Sequence, residues 1–162
     1  MRNTLKFVGL FLALSLVLCG CKKAPEKAIE GTWYTEQNGV RLTVSFAEDG
    51  VMTTLCTITD KAAADRAGVN SDVVSSKNIS CYYKVDSNPQ FYNLTETEQK
   101  FLAGKNALVS YFTQEEMENG LSGETIYFTV LGDTLTTTQL SGAVNAQTNE
   151  PVYSETVFKR VK

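Results

Sequence analysis

The chain contains no histidine among its 162 residues. That absence removes the imidazole general base, every Ser-His-Asp arrangement and the commonest protein metal ligand together. Four cysteines without a histidine also leave no zinc-ligand spacing, so no metal site is expected. No Gly-x-Ser-x-Gly elbow and no glycine-rich phosphate loop is present. Carboxylates do cluster at Glu115, Glu116 and Glu118, but such a run is the ordinary solvated face of a short helix. These gaps argue against an enzyme. No basic face stands out either, with 15 Lys and Arg against 18 Asp and Glu, so nucleic acid is not an expected partner. The chain shows no internal repeat and no low-complexity segment.

Long apolar runs are missing as well, and the one that exists is short. Residues 7–18 are apolar except for Gly9 and Ser15, and Arg2 and Lys6 precede them. A bilayer-spanning helix needs about 20 apolar residues. A positive start followed by a short apolar core is instead the pattern of a secretion signal. Leu18-Cys19-Gly20-Cys21 follows directly. It resembles the lipobox of bacterial lipoproteins, which has an aliphatic residue three before the cysteine and a small residue immediately before it. Cys21 satisfies both requirements, through Leu18 and Gly20. Cys19 does not, because the bulky Leu18 precedes it. The resemblance implies cleavage after residue 20 and a diacylglyceryl thioether on Cys21, with an N-acyl chain where the cell adds one. The alternative is an ordinary cleaved signal without lipid. Each buried methylene of an acyl chain contributes about 0.8 kcal/mol, so two or three chains anchor lastingly. Residues 22–30 are polar and read as a tether to the domain at 31–162. The expected location is the cell envelope. In a cell with two membranes, Lys22 beside the lipid-bearing residue favours the outer one.

Loss of Arg2 and Lys6 with the signal takes the 15 basic residues to 13 and leaves a net charge of −5. Cys56 and Cys81 remain in a compartment that supports oxidation, and a disulfide between them is the leading expectation. It would close a loop of about 25 residues, worth roughly 3 kcal/mol in the chain-entropy picture. Two separate thiols are the alternative.

What the domain has in abundance is period-two alternation, the mark of half-buried antiparallel strands. Val40, Leu42, Val44 and Phe46 share one face of a strand, and Glu48-Asp49-Gly50 forms a turn into a return strand over 51–59. Asp60 reads as the cap of a short helix over 61–67, stopped by Gly68. Strands are expected again at 79–85 and 90–94. Between Thr95 and Gly120 the period changes. Thr95-x-x-Glu98 and Thr113-x-x-Glu116 look like capping boxes, and Phe101, Leu102, Leu108, Val109 and Phe112 fall near one helical face. One or two short helices are expected there. Strands return at 125–131, 134–140 and 152–161, with Gly132-Asp133 as the turn between the first two.

Seven or eight strands joined by short turns favour closure into an up-and-down barrel, which leaves no exposed edge. Gly31-Thr32-Trp33 at the start and Arg160 near the end resemble the Gly-x-Trp opening and closing basic residue of lipocalin and other calycin barrels. That resemblance implies that Trp33 plugs the closed end, with Arg160 across its face. The helical segment at 95–120 departs from the simple barrel.

A lipocalin-like barrel has room for packed side chains or one small ligand. Tyr82, Tyr83, Phe91, Tyr92 and Phe128 are the candidate lining of an apolar ligand site. The plain alternative is that they fill the core. A second reading is a protein-facing role, as a hydrolase inhibitor or an accessory of an envelope complex, with contacts at loops 60–78 and 141–150. No cofactor is expected beyond the covalent lipid. The two sequons at Asn78 and Asn93 read as chance in a bacterial lipoprotein.

Overall fold

The computed structural model describes residues 23–70, 79–89, 94–121, 123–148 and 150–162. The signal segment, Cys21, Phe91, Tyr92 and all but the last residue of the strand expected over 90–94 lie outside this set; Leu94 is not in a strand.

Eight antiparallel strands form a closed barrel in sequence order. They are β1 (Gly31–Gln37), β2 (Val40–Phe46), β3 (Val51–Ile58), β4 (Ile79–Asp86), β5 (Asn106–Tyr111), β6 (Glu124–Leu131), β7 (Thr134–Val144) and β8 (Pro151–Arg160). Among the described residues four short helices accompany them: α1 (Pro25–Ile29), α2 (Lys61–Arg66), α3 (Glu96–Leu102) and α4 (Gln114–Glu118). The up-and-down order follows from hairpin connections, each strand pairing with its sequence neighbour. Asn38 and Gly39 make the first hairpin with positive φ at both positions, the geometry that matches strand twist. Gly39 must lack a side chain for a second reason, because a Cβ there would strike the Asp60 carbonyl at the cap of α2.

Alternation sorts the side chains. Trp33, Val44, Phe46, Tyr83, Leu108, Phe128, Leu135 and Phe158 form one buried cluster inside the barrel, and Ile29 of α1 joins it. Thus the polar stretch expected to be a tether over 22–30 is partly structural. Pro25 starts α1 at a position where its missing N–H costs nothing, and Ile29 is 1% exposed.

The region at 95–120 holds both expected helices and one unexpected strand. Both capping boxes are formed, Thr95 with Glu98 and Thr113 with Glu116. Between them, Leu108 and Val109 belong to β5 rather than to a helical face. Leu108 points into the core, and the helical spacing was a coincidence of two strand faces read together. Phe112, beyond the strand, is 84% exposed.

The disulfide expectation fails. Cys56 and Cys81 are free thiols. The reason is register: Cys81 pairs with Met52, while Cys56 lies four residues further along β3 and faces Leu42. Four residues of strand are about 13 Å, roughly twice the Cα separation a disulfide spans.

Candidate functional site

The barrel has unlike ends. At one end the chain seals itself. Trp33 is fully buried, and its indole N–H donates to the Ile29 carbonyl at 2.6 Å. The Arg160 guanidinium lies 3.9 Å from the centroid of the Trp33 ring. Its two terminal nitrogens donate to the carbonyls of Glu30 at 2.7 Å and Ala28 at 2.8 Å. These bonds take up acceptors that the end of a helix leaves without partners. Gly31 is shaped by the same contact, with φ of +110° and only 2.9 Å between a notional Cβ and Arg160 Nη1. Here β1 and β8 pair through Trp33–Arg160 and Tyr34–Lys159.

Above this floor the core is full. Tyr83 sets its ring edge-on to Phe46 and donates its hydroxyl to the Ala47 carbonyl at 2.8 Å. Burial, with the nearby Glu30 and Asp49 carboxylates, holds that phenol above its ordinary value. Phe128 is 1% exposed. Two of the candidate lining residues, Tyr83 and Phe128, are therefore core. Tyr82 is on the other face of β4, outside the barrel, half-buried opposite Val51 and Tyr111. Phe91 and Tyr92 lie outside the described residues.

Toward the opposite end, inward-facing side chains stop being buried. Leu42 packs on the core cluster but remains partly exposed, whereas Met52 beside Phe46, and Val85 and Val130 beyond Tyr83 and Phe128, lie toward the sealed end. One layer further out, Thr54 and Ile126 are half-buried, and Cys56, Ile79 and Gln139 are exposed. This inward-facing half of the barrel, with the aromatic core at its base and polar side chains at its rim, is the candidate cup. Sequence reasoning missed this lining because it looked for aromatics, which build the floor; the signal was the inward parity of small and aliphatic residues in the far halves of the strands. Burial, aided by the Glu124 carboxylate, keeps the Cys81 thiol in the cup wall above its ordinary value. A thiol so placed is protonated near neutrality and a poor nucleophile.

A concavity of about 570 Å³ lies on the outer wall beside the β1–β8 seam. Its walls include Tyr34, Arg41, Asp133, Lys159, Arg160 and Lys162. Arg41 is committed to Glu36 at 2.8 Å and to the Tyr34 ring at 4.9 Å, and Arg160 to the barrel floor.

The helical segment decorates the outside. Phe101 of α3 meets Tyr153 of β8, with ring centroids 4.4 Å apart. Lys105 Nζ donates to Thr138 Oγ1 at 2.9 Å and to Glu155 Oε1 at 3.1 Å, and the Thr138 hydroxyl donates to the same carboxylate. Among the described residues no group of three or more Cys, Asp and Glu could hold a metal ion. No helix among them is long and apolar enough to cross a membrane. No protein-family model matches the chain, and neither does any curated protein or solved structure.

Proposed function

We propose that the protein is a lipid-anchored, extracytoplasmic lipocalin-like module that holds one small ligand with an apolar body in the cup. The observation that carries this reading is the half-buried inward layer of Leu42, Thr54, Cys81 and Ile126 above a filled floor. A core completed by its own side chains would bury this layer. Ligand sites combine apolar surface with a few placed polar groups, and the cup sets Leu42 and Ile126 beside Thr54, Gln139 and Glu124. An eight-stranded barrel is also of the size that holds one small ligand.

The anchor supplies a place for the module to act. Ala24, which caps α1, is only three residues from Cys21, a reach of about 10 Å for extended chain. With Cys21 acylated, the sealed end faces the membrane at short range and the mouth faces away. Mass spectrometry of the N-terminal peptide from envelope-purified protein tests the anchor; it should begin at Cys21 and carry acyl mass.

The binding test uses the mature chain carrying Cys21→Ser, since the buried core lies between Ile29 and Phe158 and includes nothing from the lipid. Titration with the neutral fluorophore 1-aminoanthracene should give saturable one-to-one binding. Ile126→Lys, which places a charge in the cup wall without touching the floor, should weaken it at least tenfold. An unchanged affinity in that variant would remove the cup as the binding site. Absence of binding, together with a protein recovered reproducibly from detergent-solubilised envelopes, would favour a protein-facing role.

A further inference from the structure

We infer that Glu124 makes the cup selective for amphiphiles whose polar end is cationic, a statement that rests on the cup being a ligand site. Strand alternation carries the argument. Among the described strand residues that share the inward parity of Trp33, two side chains are charged, Arg160 and Glu124. Arg160 is spent at the floor on Trp33 and two carbonyls. Glu124 is the first residue of β6, at the mouth, and it is exposed.

The carboxylate is oriented. The Gln139 side-chain amide on the neighbouring strand β7 donates to Glu124 Oε1 at 3.2 Å. Among the described residues no Lys or Arg pairs with it. On the same wall the Cys81 thiol is pushed up first by burial and then by the Glu124 carboxylate. Across the ladder Glu124 faces Ser110, and apolar side chains lie further along the same wall. Ile126 is half-buried on the same face of β6, Ile79 at the mouth of β4 is 53% exposed, and Phe112 just beyond β5 is 84% exposed. Phe128 of the floor is four residues along β6 from Glu124, about 13 Å at the strand rise. A ligand with an alkyl body of that length could fill the cup while its head meets Glu124. An ammonium head would gain a charge-assisted contact and the face of Phe112. A carboxylate head would meet a like charge and no compensating cation.

The test compares three chains that differ only at the head: dodecan-1-ol, dodecylamine and dodecanoate. Each is kept below its micellar concentration at pH 7 and competes with bound 1-aminoanthracene on the Cys21→Ser mature chain. An exposed charge contact is modest, so dodecylamine should displace the probe at about three- to tenfold lower concentration than dodecan-1-ol, with dodecanoate weakest. Glu124→Gln should bring the amine to the level of the alcohol and leave the alcohol unchanged. Glu118→Gln, which removes the same charge from the outer helix α4, should keep the preference and so separates a local effect from net charge. Equal displacement by all three heads, or an amine preference that survives Glu124→Gln, overturns the inference alone. Failure of every chain, and of the probe itself, overturns the binding reading with it.

Discussion

Arg160 makes three contacts with one rigid fork: the Trp33 ring and the carbonyls of Ala28 and Glu30. Lysine keeps the charge but offers a point rather than a plane, so it cannot stack and bridge two acceptors at once. Arg160→Lys should therefore lower stability by about 2 kcal/mol, from two charge-assisted hydrogen bonds and a stack that are partly solvent-screened. Chemical denaturation followed by Trp33 fluorescence would show it, since the barrel floor is where the lone tryptophan sits. Ile29 is the other residue at this end with a measurable load. It is 1% exposed in the main cluster, so Ile29→Ala should cost about 2–4 kcal/mol. A free tether would make the same substitution neutral. Both ends of the Trp33–Arg160 contact can be found in the sequence, one as the sole tryptophan, the other as a basic residue in the closing strand. Ile29 could not be found so, because a single apolar residue in a charged stretch has no period to announce it.

At the scale of elements, alternation and turn chemistry identify most strands, and the two capping boxes identify both helices of the central segment. β5 escaped because six residues carrying apolar side chains on both faces satisfy either period; the buried Ala107 and Leu108 belong to opposite faces of one strand. The cysteine pairing escaped for a different reason. It depends on register across β3 and β4, and no local pattern encodes an offset of four residues. Intact mass measurement of the Cys21→Ser chain over residues 21–162 after alkylation should show two modified thiols without reduction. A mass lower by two hydrogens, with no alkylation, would mean that the strands shift to bring the sulfurs together. The outer helical segment is tied to the barrel by Lys105, Thr138 and Glu155. Hydrogen bonds from Lys105 and from Thr138 hold the Glu155 carboxyl below its ordinary 4.5. Because the folded value is depressed, the stabilisation is present above about 4.5 and is lost as pH falls through the folded value. Thermal midpoints should decline as pH drops through the carboxylate range. Glu155→Gln should flatten part of that decline, by a modest amount because the side chain is 38% exposed.

The whole molecule is a barrel with one sealed and one open end, and the sealed end is also where the chain arrives from Cys21. Closure itself was legible, since eight short strands joined by turns have few other ways to hide their edges. The cup was not. Whether an interior is filled depends on how far the large side chains reach along each strand, and here they stop at the level of Phe46, Tyr83 and Phe128. Methyl NMR of the Cys21→Ser mature chain during titration with dodecan-1-ol addresses that division directly. The account predicts that the methyls of Leu42, Thr54 and Ile126 shift together and saturate at one equivalent, while Val161 in the outer groove and Leu135 at the floor stay near their free positions. Shifts confined to Val161 and the groove wall, or no saturable shifts in the cup methyls, would contradict it.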